Sequence, residues 1–425
     1  MSDQTSSLFI RWLQREVAPA LGCTEPVAIS FTTAYAAKHL ATPCEKISGF
    51  ISANLYKNAT GVTIPGTTVN GVALAAAIGA FGGDADKGLQ TLAGITSQHV
   101  EQAQALVDAG HVTIDVQDTH DFIHLDLTLS AGDQTCRVVV KGTHTNVVEL
   151  YINGEQQPLH AGKNSATAQT ELPTFSLQEA YDFIISTPVE NITFILEAAR
   201  LNSALAAEGK SKKYGLNING TFSEAVKNGL LSNDLMSEVI INTVAASDAR
   251  MGGAPVVAMS NFGSGNQGIA ATMPVVTVAE HLNADEETLA RALALSHLTA
   301  ISIHSRYTRL SALCAASTAA MGTAAGMAWL FTRNIETINT AIINMISDVT
   351  GMICDGASNS CAMKVSSVVS SAFKSVLMAM QNRCASANDG IVCADVEQSI
   401  NNLCRLVIKP MAQTDKEIIR IMVSK

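Results

Sequence analysis

The spacing of hydrophobic and polar positions changes twice along the chain. Apolar residues recur at helical spacing over residues 8–20 and 25–40. From residue 176 onward the pattern is again helical. Clusters of Gly, Asn and Pro interrupt this second helical region near residues 214–221, 251–268 and 351–361. The two helical regions are separated by a segment of different character.

The intervening segment has a mixed pattern. Residues 47–55 alternate like a strand, whereas residues 70–108 are rich in alanine and helical in spacing. Strand-like runs then follow at residues 111–116, 122–129, 136–141 and 146–152, with turn residues between them. A polar stretch over residues 155–173 resembles a linker.

This organisation predicts an α+β protein. We expect a large, mainly α-helical domain formed by residues 1–42 and 172–425. Residues 43–171 should form a smaller α+β module inserted into it, with a mainly antiparallel sheet. Residues 310–332 carry no charge over 23 positions, long enough for a membrane span. Their content of Ala, Gly, Ser, Thr and Met favours a buried central helix instead.

Composition and charge narrow the class of protein. The chain has 425 residues, of which 47% are hydrophobic and 15% charged, so a large core is expected and disorder is not. A net charge of −10 without basic clusters argues against nucleic acid and membrane partners. The first residues lack the features of a secretory signal, and nine dispersed cysteines indicate reduced thiols. We therefore expect a cytoplasmic protein.

Three cysteines carry most of the candidate chemistry. Cys354 follows Cys314 by 40 positions and precedes Cys361 by 7. Three thiolates without a nearby fourth suit a cubane iron–sulfur cluster with one open iron, with sulfurs on the order of 6–7 Å apart. Cysteine also serves as a small buried hydrophobe, the leading alternative for Cys314 in its Ala-rich run. Cys354 and Cys361 flank a turn-forming loop, which fits that alternative less well.

A fourth cysteine stands near the N-terminus, in the run Gly22-Cys23-Thr24-Glu25-Pro26. Cys23 directly precedes a predicted helix start, where free N–H groups and the helix dipole favour negative charge. We therefore expect a lowered thiol pKa. Such a thiolate could act as a base, a nucleophile or a metal ligand, and the alternative is a cysteine that merely fits a turn.

Other candidates are weaker. Gly263, Gly265 and Gly268 match a dinucleotide-binding spacing, but Pro274 should interrupt the helix that this motif requires, so a loop lining a small-molecule site is favoured. The candidate carboxylate-binding residues are Arg250, Arg306 and Arg309, with structural ion pairs as the alternative use. No lysine stands in a context that favours a pyridoxal phosphate anchor.

Taken together, these motifs resemble a known family. The Cys23 run, the segment Lys141-Gly-Thr-His144-Thr-Asn146, and Arg309 to Cys314 followed by Cys354 and Cys361 resemble L-cysteine desulfidase over essentially the whole chain. Over roughly residues 180–380 the chain also resembles the alpha chain of iron–sulfur L-serine dehydratases. The resemblance implies a lyase that uses a [4Fe–4S] cluster with one open iron, and no pyridoxal phosphate, to form pyruvate and ammonia.

Carried onto this sequence, the resemblance assigns roles to individual residues. Cys314, Cys354 and Cys361 would be the cluster ligands, and Cys23 the proton acceptor. The candidate substrate-binding residues are His144, Asn146, Arg250, Asn266 and Arg309. Cys23 should therefore open onto the same cavity as the three ligands, with the N-terminal helices packed on the helical domain.

L-cysteine is the expected substrate, with L-serine as the alternative. The spacing of 7 between the last two ligand cysteines is shorter than in two-domain serine dehydratases, and no cysteine occurs in the final run Met422-Val-Ser-Lys425. The expected partner is a small amino acid, and a homo-oligomer is left open. Two alternatives of other classes are a non-catalytic iron–sulfur sensor and a cofactor-free binding protein.

Overall fold

A computed structural model describes residues 3–159, 174–307 and 311–424. The α-helices of these residues are α1 Asp3–Glu16, α2 Thr24–Ala37, α3 Ala53–Ala59, α4 Val72–Gly82, α5 Ser97–Asp108, α6 Leu177–Ser186, α7 Leu196–Ser211, α8 Ile218–Lys227, α9 Leu235–Met251, α10 Gly265–His281, α11 Glu286–His304, α12 Ala315–Thr332, α13 Ile335–Val349, α14 Cys361–Met380, α15 Val396–Ile408 and α16 Pro410–Val423. The strands are β1 Pro19–Leu21, β2 Lys46–Ser52, β3 Val112–Gln117, β4 His124–Ala131, β5 Gln134–Lys141, β6 Val147–Ile152, β7 Glu155–Gln156 and β8 Val257–Met259.

The uncharged segment forms the central helix α12 of the helical region. Its neighbours are α10, α11, α13 and α14, and its small residues let them approach closely. At Gly322 a Cβ atom would lie 2.3 Å from the carbonyl oxygen of Ser296 in α11. The segment is therefore a buried core helix, as predicted. Among the described residues, no helix combines the length and apolar character that crossing a membrane requires.

The module is built on a six-stranded sheet in the order β3-β2-β4-β5-β6-β7. Only the β2–β3 pair is parallel, and the remaining pairs are antiparallel. Leu125, Leu127 and Leu129 alternate with more exposed residues along β4, which buries one face of the sheet. The predicted fold class, a mainly helical protein with a smaller α+β part and a mainly antiparallel sheet, is confirmed.

The two N-terminal helices pack in different cores. Phe9 and Leu13 of α1 belong to the helical core, where Phe9 stacks on Phe183 with ring centroids 4.9 Å apart. Val27 and Ile29 of α2 belong to the core of the module instead. The expectation that both helices pack on the helical domain is therefore wrong for α2. The predicted domain boundaries at residues 42 and 172 stay a prediction.

Several boundaries of helices and strands also differ from those predicted from the sequence. The predicted helix over residues 8–20 ends at Glu16, since Pro19 has no N–H for a helical hydrogen bond and begins β1 instead. The predicted strand over residues 47–55 ends at Ser52, where α3 begins. Helix α10 continues through Pro274, which was expected to interrupt it. Most of the predicted linker, residues 160–173, lies outside the described residues.

Candidate active site

A pocket lies where the module meets the helical region. Its cavity volume is about 90 Å³, several times the roughly 10–15 Å³ that one water molecule needs. Its wall includes all four cysteines singled out from the sequence, Cys23, Cys314, Cys354 and Cys361. These cysteines come from distant parts of the chain. The fold brings Cys23 to the same cavity as the three predicted ligands.

Only some of the candidate substrate-binding residues line this pocket. His144, Arg250 and Asn266 line the pocket. Asn146 does not line it; this residue is exposed, and its Nδ2 donates to the carbonyl oxygen of Lys141 at 3.0 Å. Arg309 lies outside the described residues. The assigned roles of all these residues stay predictions.

A short antiparallel bridge brings Cys314 and Cys354 side by side. Leu313 pairs with Ile353, so each cysteine follows one residue of the bridge. The Cys314 N–H donates to the carbonyl oxygen of Met352 at 3.0 Å, and the Cys354 N–H donates to that of Ala312 at 2.7 Å. Cys314 is therefore not inside an Ala-rich helix, as its local sequence indicated, but is the N-terminal cap of α12.

Cys361 reaches the same pocket at the start of α14. The loop before it is tied to the module by a parallel bridge between Gly61 and Ser358. The Ser358 N–H donates to the Cys361 Sγ at 3.5 Å. Like Cys23 and Cys314, Cys361 stands at a helix N-terminus, where free N–H groups favour negative charge.

Burial and neighbouring thiols affect the protonation of Cys314 and Cys361. Burial, followed by the neighbouring Cys354 and Cys361, raises the pKa of Cys314 to about 12. Burial likewise raises the pKa of Cys361, and Cys354 adds to the shift while the Lys364 ammonium opposes it. Thiols that hinder each other's ionisation become thiolates when a metal centre supplies positive charge.

The donor set fits the iron–sulfur cluster that the resemblance implies. Throughout the described ranges, no three His, Cys, Asp or Glu side chains are close enough to bind a single metal ion. A tetrahedral zinc site, with Zn–S bonds of about 2.3 Å, needs such close packing. Sulfurs around a cubane lie on the order of 6–7 Å apart. Cys314, Cys354 and Cys361 on one pocket wall are three thiols, the number that a cubane with one open iron would take from a protein.

Cys23 occupies the N-terminal cap of α2 but is not activated as predicted. Gly22 before it has φ +68°, and a Cβ atom there would lie 2.0 Å from Pro65. The Cys23 Sγ donates to the Glu25 Oε2 at 3.1 Å. Burial, followed by the Glu25 charge, raises the pKa of Cys23 well above its ordinary value. The expected lowering is wrong because burial and this carboxylate outweigh the helix N-terminus.

Glu25 is a site residue that the sequence analysis did not assign. Its Oε2 also accepts a hydrogen bond from the Thr24 hydroxyl at 3.1 Å, and its Oε1 lies 3.8 Å from the His144 Nε2. Although burial acts to raise it, His144 and the Cys23 hydrogen bond lower the pKa of Glu25 to about 2. Glu25 is therefore a buried carboxylate between a thiol and an imidazole. A signal was present, since Glu25 is the only charged residue between Glu16 and Lys38.

Arg250 brings a buried positive charge to the pocket. It is 3% exposed, and its Nε donates to the carbonyl oxygen of Gly22 at 3.1 Å. Its Nη1 lies 3.3 Å from the Met251 Sδ, and it forms no ion pair with the acidic side chains that the structure describes. Arg306, by contrast, pairs with Glu397 at 2.7 Å. Of these two arginines, only Arg250 lines the pocket and is placed to bind a ligand carboxylate.

The glycine-rich segment also contributes to the pocket. Gly263, Ser264 and Asn266 line the pocket at the start of α10. The Ser247 hydroxyl donates to the Asn266 Oδ1 at 3.2 Å. His304 also lines the pocket, with its Nδ1 2.7 Å from the Gln267 Oε1. The segment therefore lines a small cavity, and its predicted use in a small-molecule site stays a prediction.

Comparisons with known proteins identify the family of this chain. The serine dehydratase alpha chain family matches residues 86–420. This match begins inside the module, so the dehydratase-like part is longer than the expected residues 180–380. A UPF0597 protein of Klebsiella pneumoniae is 80% identical over 425 residues, which cover 100% of both chains.

More distant relatives carry the same name. A UPF0597 protein of Yersinia enterocolitica is 50% identical over 434 aligned positions, covering 100% of this chain and 99% of the relative. The UPF0597 protein YhaM of Escherichia coli is 51% identical over 422 residues, covering 98% of this chain and 97% of the relative. The chain therefore belongs to the serine dehydratase alpha chain family and to the UPF0597 proteins, in agreement with the desulfidase-like resemblance of its cysteine motifs.

Proposed function

We propose that the protein is an iron–sulfur-dependent lyase that removes the β-substituent of a small L-amino acid, with L-cysteine as its substrate. The products are pyruvate, ammonia and hydrogen sulfide, after consumption of one water molecule. The observation that carries the proposal is the meeting of Cys23, Cys314, Cys354, Cys361 and Arg250 in one pocket. Membership of the serine dehydratase alpha chain family supports a lyase of this kind.

Arg250 binds the substrate carboxylate in this proposal. Its side chain is buried, and its Nε donates to the carbonyl oxygen of Gly22, the residue directly before Cys23. A guanidinium offers paired donors that match a carboxylate, and little water competes for it in a buried site. Binding one end of the amino acid in this way fixes its α-carbon relative to Cys23.

Cys23 removes the α-proton, and Glu25 positions its sulfur. The thiol donates to the Glu25 Oε2 at 3.1 Å. Burial and the Glu25 charge raise the pKa of Cys23, and the Arg250 charge opposes this shift and so favours the thiolate that takes the α-proton. The Glu25 Oε1 lies 3.8 Å from the His144 Nε2, and His144 favours the charged form of this carboxylate. Glu25 thus links the base to the imidazole.

Cys314, Cys354 and Cys361 hold the cofactor. When bound there, a [4Fe–4S] cluster with one open iron supplies a Lewis acid for the leaving group. After loss of the α-proton and of sulfide, the remaining enamine tautomerises and is hydrolysed to pyruvate and ammonia.

L-serine is a second candidate substrate, because the matching family is described as serine dehydratase. Serine and cysteine differ by one atom at the leaving group. The close resemblance of the Cys23 motif and of the Cys354–Cys361 spacing to L-cysteine desulfidase favours cysteine.

Anaerobic purification followed by iron and sulfide analysis tests the proposal. We expect about four iron and four sulfide per chain, the content of a [4Fe–4S] cluster. Pyruvate formation should be faster with L-cysteine than with L-serine. A preference for serine would move the assignment to the second candidate. A loaded cluster without turnover of either amino acid would contradict the lyase and favour a sensor.

A further inference from the structure

A buried lysine lies behind the pocket and not in its wall. Lys57 of α3 is 0% exposed, and its Nζ donates to the carbonyl oxygens of Ser311 at 3.3 Å and Cys354 at 3.4 Å. Its third partner is the Asp415 carboxylate of α16. Every hydrogen of the ammonium therefore has an acceptor. The Asp415 Oδ2 also accepts a hydrogen bond from the Asn54 amide at 3.0 Å.

The two carbonyl partners belong to the segments that carry the predicted ligands. Ser311 stands three residues before Cys314, and Cys354 is itself a predicted ligand. The same segments are joined by the Leu313–Ile353 bridge, so Lys57 fastens the bridge from one side. The Lys57 backbone also lies against this loop, since a Cβ atom at Gly356 would be 2.3 Å from the Lys57 carbonyl oxygen.

A buried ion pair is a costly way to stabilise a fold. Removing both charges from water costs free energy that their attraction only partly returns. A protein in which two apolar residues replace the ion pair is often equally stable. An ammonium, however, can bind several backbone carbonyl oxygens at once, which an apolar side chain cannot. The arrangement around Lys57 uses this property on both ligand-bearing segments.

We propose that Lys57 is a positioning residue for the metal centre. Its ammonium, neutralised by Asp415, clamps the carbonyl oxygens of Ser311 and Cys354 and so fixes the separation of the Cys314 and Cys354 thiols. The inference rests on the proposed function, because the separation matters for holding a cluster. Lys57 does not line the pocket and makes no contact with the reacting atoms.

A double variant separates this clamp from a general effect on folding. Lys57→Met combined with Asp415→Asn removes both charges together, so no unpaired charge stays buried, and the amide at position 415 can still accept from Asn54. We expect its melting temperature to stay near that of the wild type. The matched control is Lys416→Met, the same substitution at an exposed lysine next to Asp415.

The first readout needs no cluster. The N–H groups of Cys314 and Cys354 donate across the bridge, so their hydrogen exchange in cluster-free protein reports its opening. We expect exchange on the order of tenfold faster in the double variant and unchanged exchange in the Lys416 control. Exchange equal to the wild type would overturn the clamp.

The second readout is cluster release to an iron chelator under anaerobic conditions. The double variant should lose iron on the order of tenfold faster than the wild type and the control, the worth of a supporting contact to a ligand. Unchanged release would overturn the inference. A wild type that binds no cluster would contradict the proposed function, while the exchange measurement would still judge the clamp.

If the double variant does not fold, Lys57→Gln with Asp415→Asn replaces it. This shorter, neutral side chain keeps a hydrogen-bonding group in the buried space but cannot reach both carbonyl oxygens. The same acceleration of exchange at Cys314 and Cys354 is expected, and wild-type exchange would again overturn the clamp.

Discussion

The helical region presents three thiols to the pocket, whereas the module side presents a thiol, a carboxylate and an imidazole. Cys314, Cys354 and Cys361 stand on helix starts and loops of the helical region. Glu25 belongs to α2, which packs in the module core, and His144 to the hairpin between β5 and β6. Ligands and proton-transfer groups thus stand on different elements of the fold.

The two sides also differ in their electrostatics. Burial, together with the neighbouring Cys354 and Cys361, raises the pKa of Cys314 to about 12, so this side gains from a bound positive centre. On the other side, burial is outweighed by His144 and the Cys23 hydrogen bond, and the pKa of Glu25 falls to about 2. That side already has partners that favour its charged carboxylate. Each side can therefore be altered without the other, which the following predictions use.

The largest effect is expected on the helical side. Replacing Cys314, Cys354 or Cys361 by alanine should abolish both iron content and pyruvate formation, because each thiolate would be one of only three protein ligands. Iron analysis and the pyruvate assay on anaerobic protein check this. Cys384→Ala is the matched control, since Cys384 is an exposed cysteine outside the pocket. Full iron content in any of the three variants would remove that residue from the ligand set.

A smaller effect is expected on the module side. Glu25→Gln keeps the shape of the side chain but removes the carboxylate that holds the Cys23 thiol. Turnover should fall roughly 10²-fold, because the general base would no longer be positioned, while iron content stays that of the wild type. Glu101→Gln, at an exposed carboxylate of α5, is the control. Wild-type turnover in Glu25→Gln would contradict the positioning of Cys23 by Glu25.

The same comparison shows what the sequence could predict. Alternation along β4 and the uncharged run of α12 identified the sheet and the central helix, because both are local patterns. The cysteine motifs identified four residues of the pocket wall. Helix α2 is buried on nearly every side, so its pattern has no polar face to show which core it joins.

Long-range partners explain the remaining gaps. Lys57 is the only charged residue between Lys46 and Asp84, which is a visible signal, but its partner Asp415 lies 358 positions away. No periodicity reports such a contact. Glu25 stands next to the Cys23 motif, yet its effect on the thiol pKa depends on burial and on His144, which only the fold determines.

The smallest effect is an acid-sensitive contribution to stability from Glu25. Its folded pKa is lowered from 4.5 to about 2, so this stability is present above pH 4.5 and is lost as the pH falls through 2. Between pH 6 and pH 3, cluster-free wild-type protein should lose about 2 kcal/mol more free energy of unfolding than Glu25→Gln. Urea unfolding at both pH values measures this. Parallel losses in the two proteins would contradict the lowered pKa.

The division between ligands and base is tested most directly by iron content and turnover of Cys23→Ala. Because Cys23 lies on the module side, where its thiol is hydrogen-bonded to Glu25, the variant should keep the iron content and the cluster colour of the wild type. Its pyruvate formation from L-cysteine should fall roughly 10²–10⁴-fold, the usual worth of a positioned general base. Loss of iron from Cys23→Ala, with retention in a variant of Cys314, Cys354 or Cys361, would contradict the account and exchange the roles of the two sides.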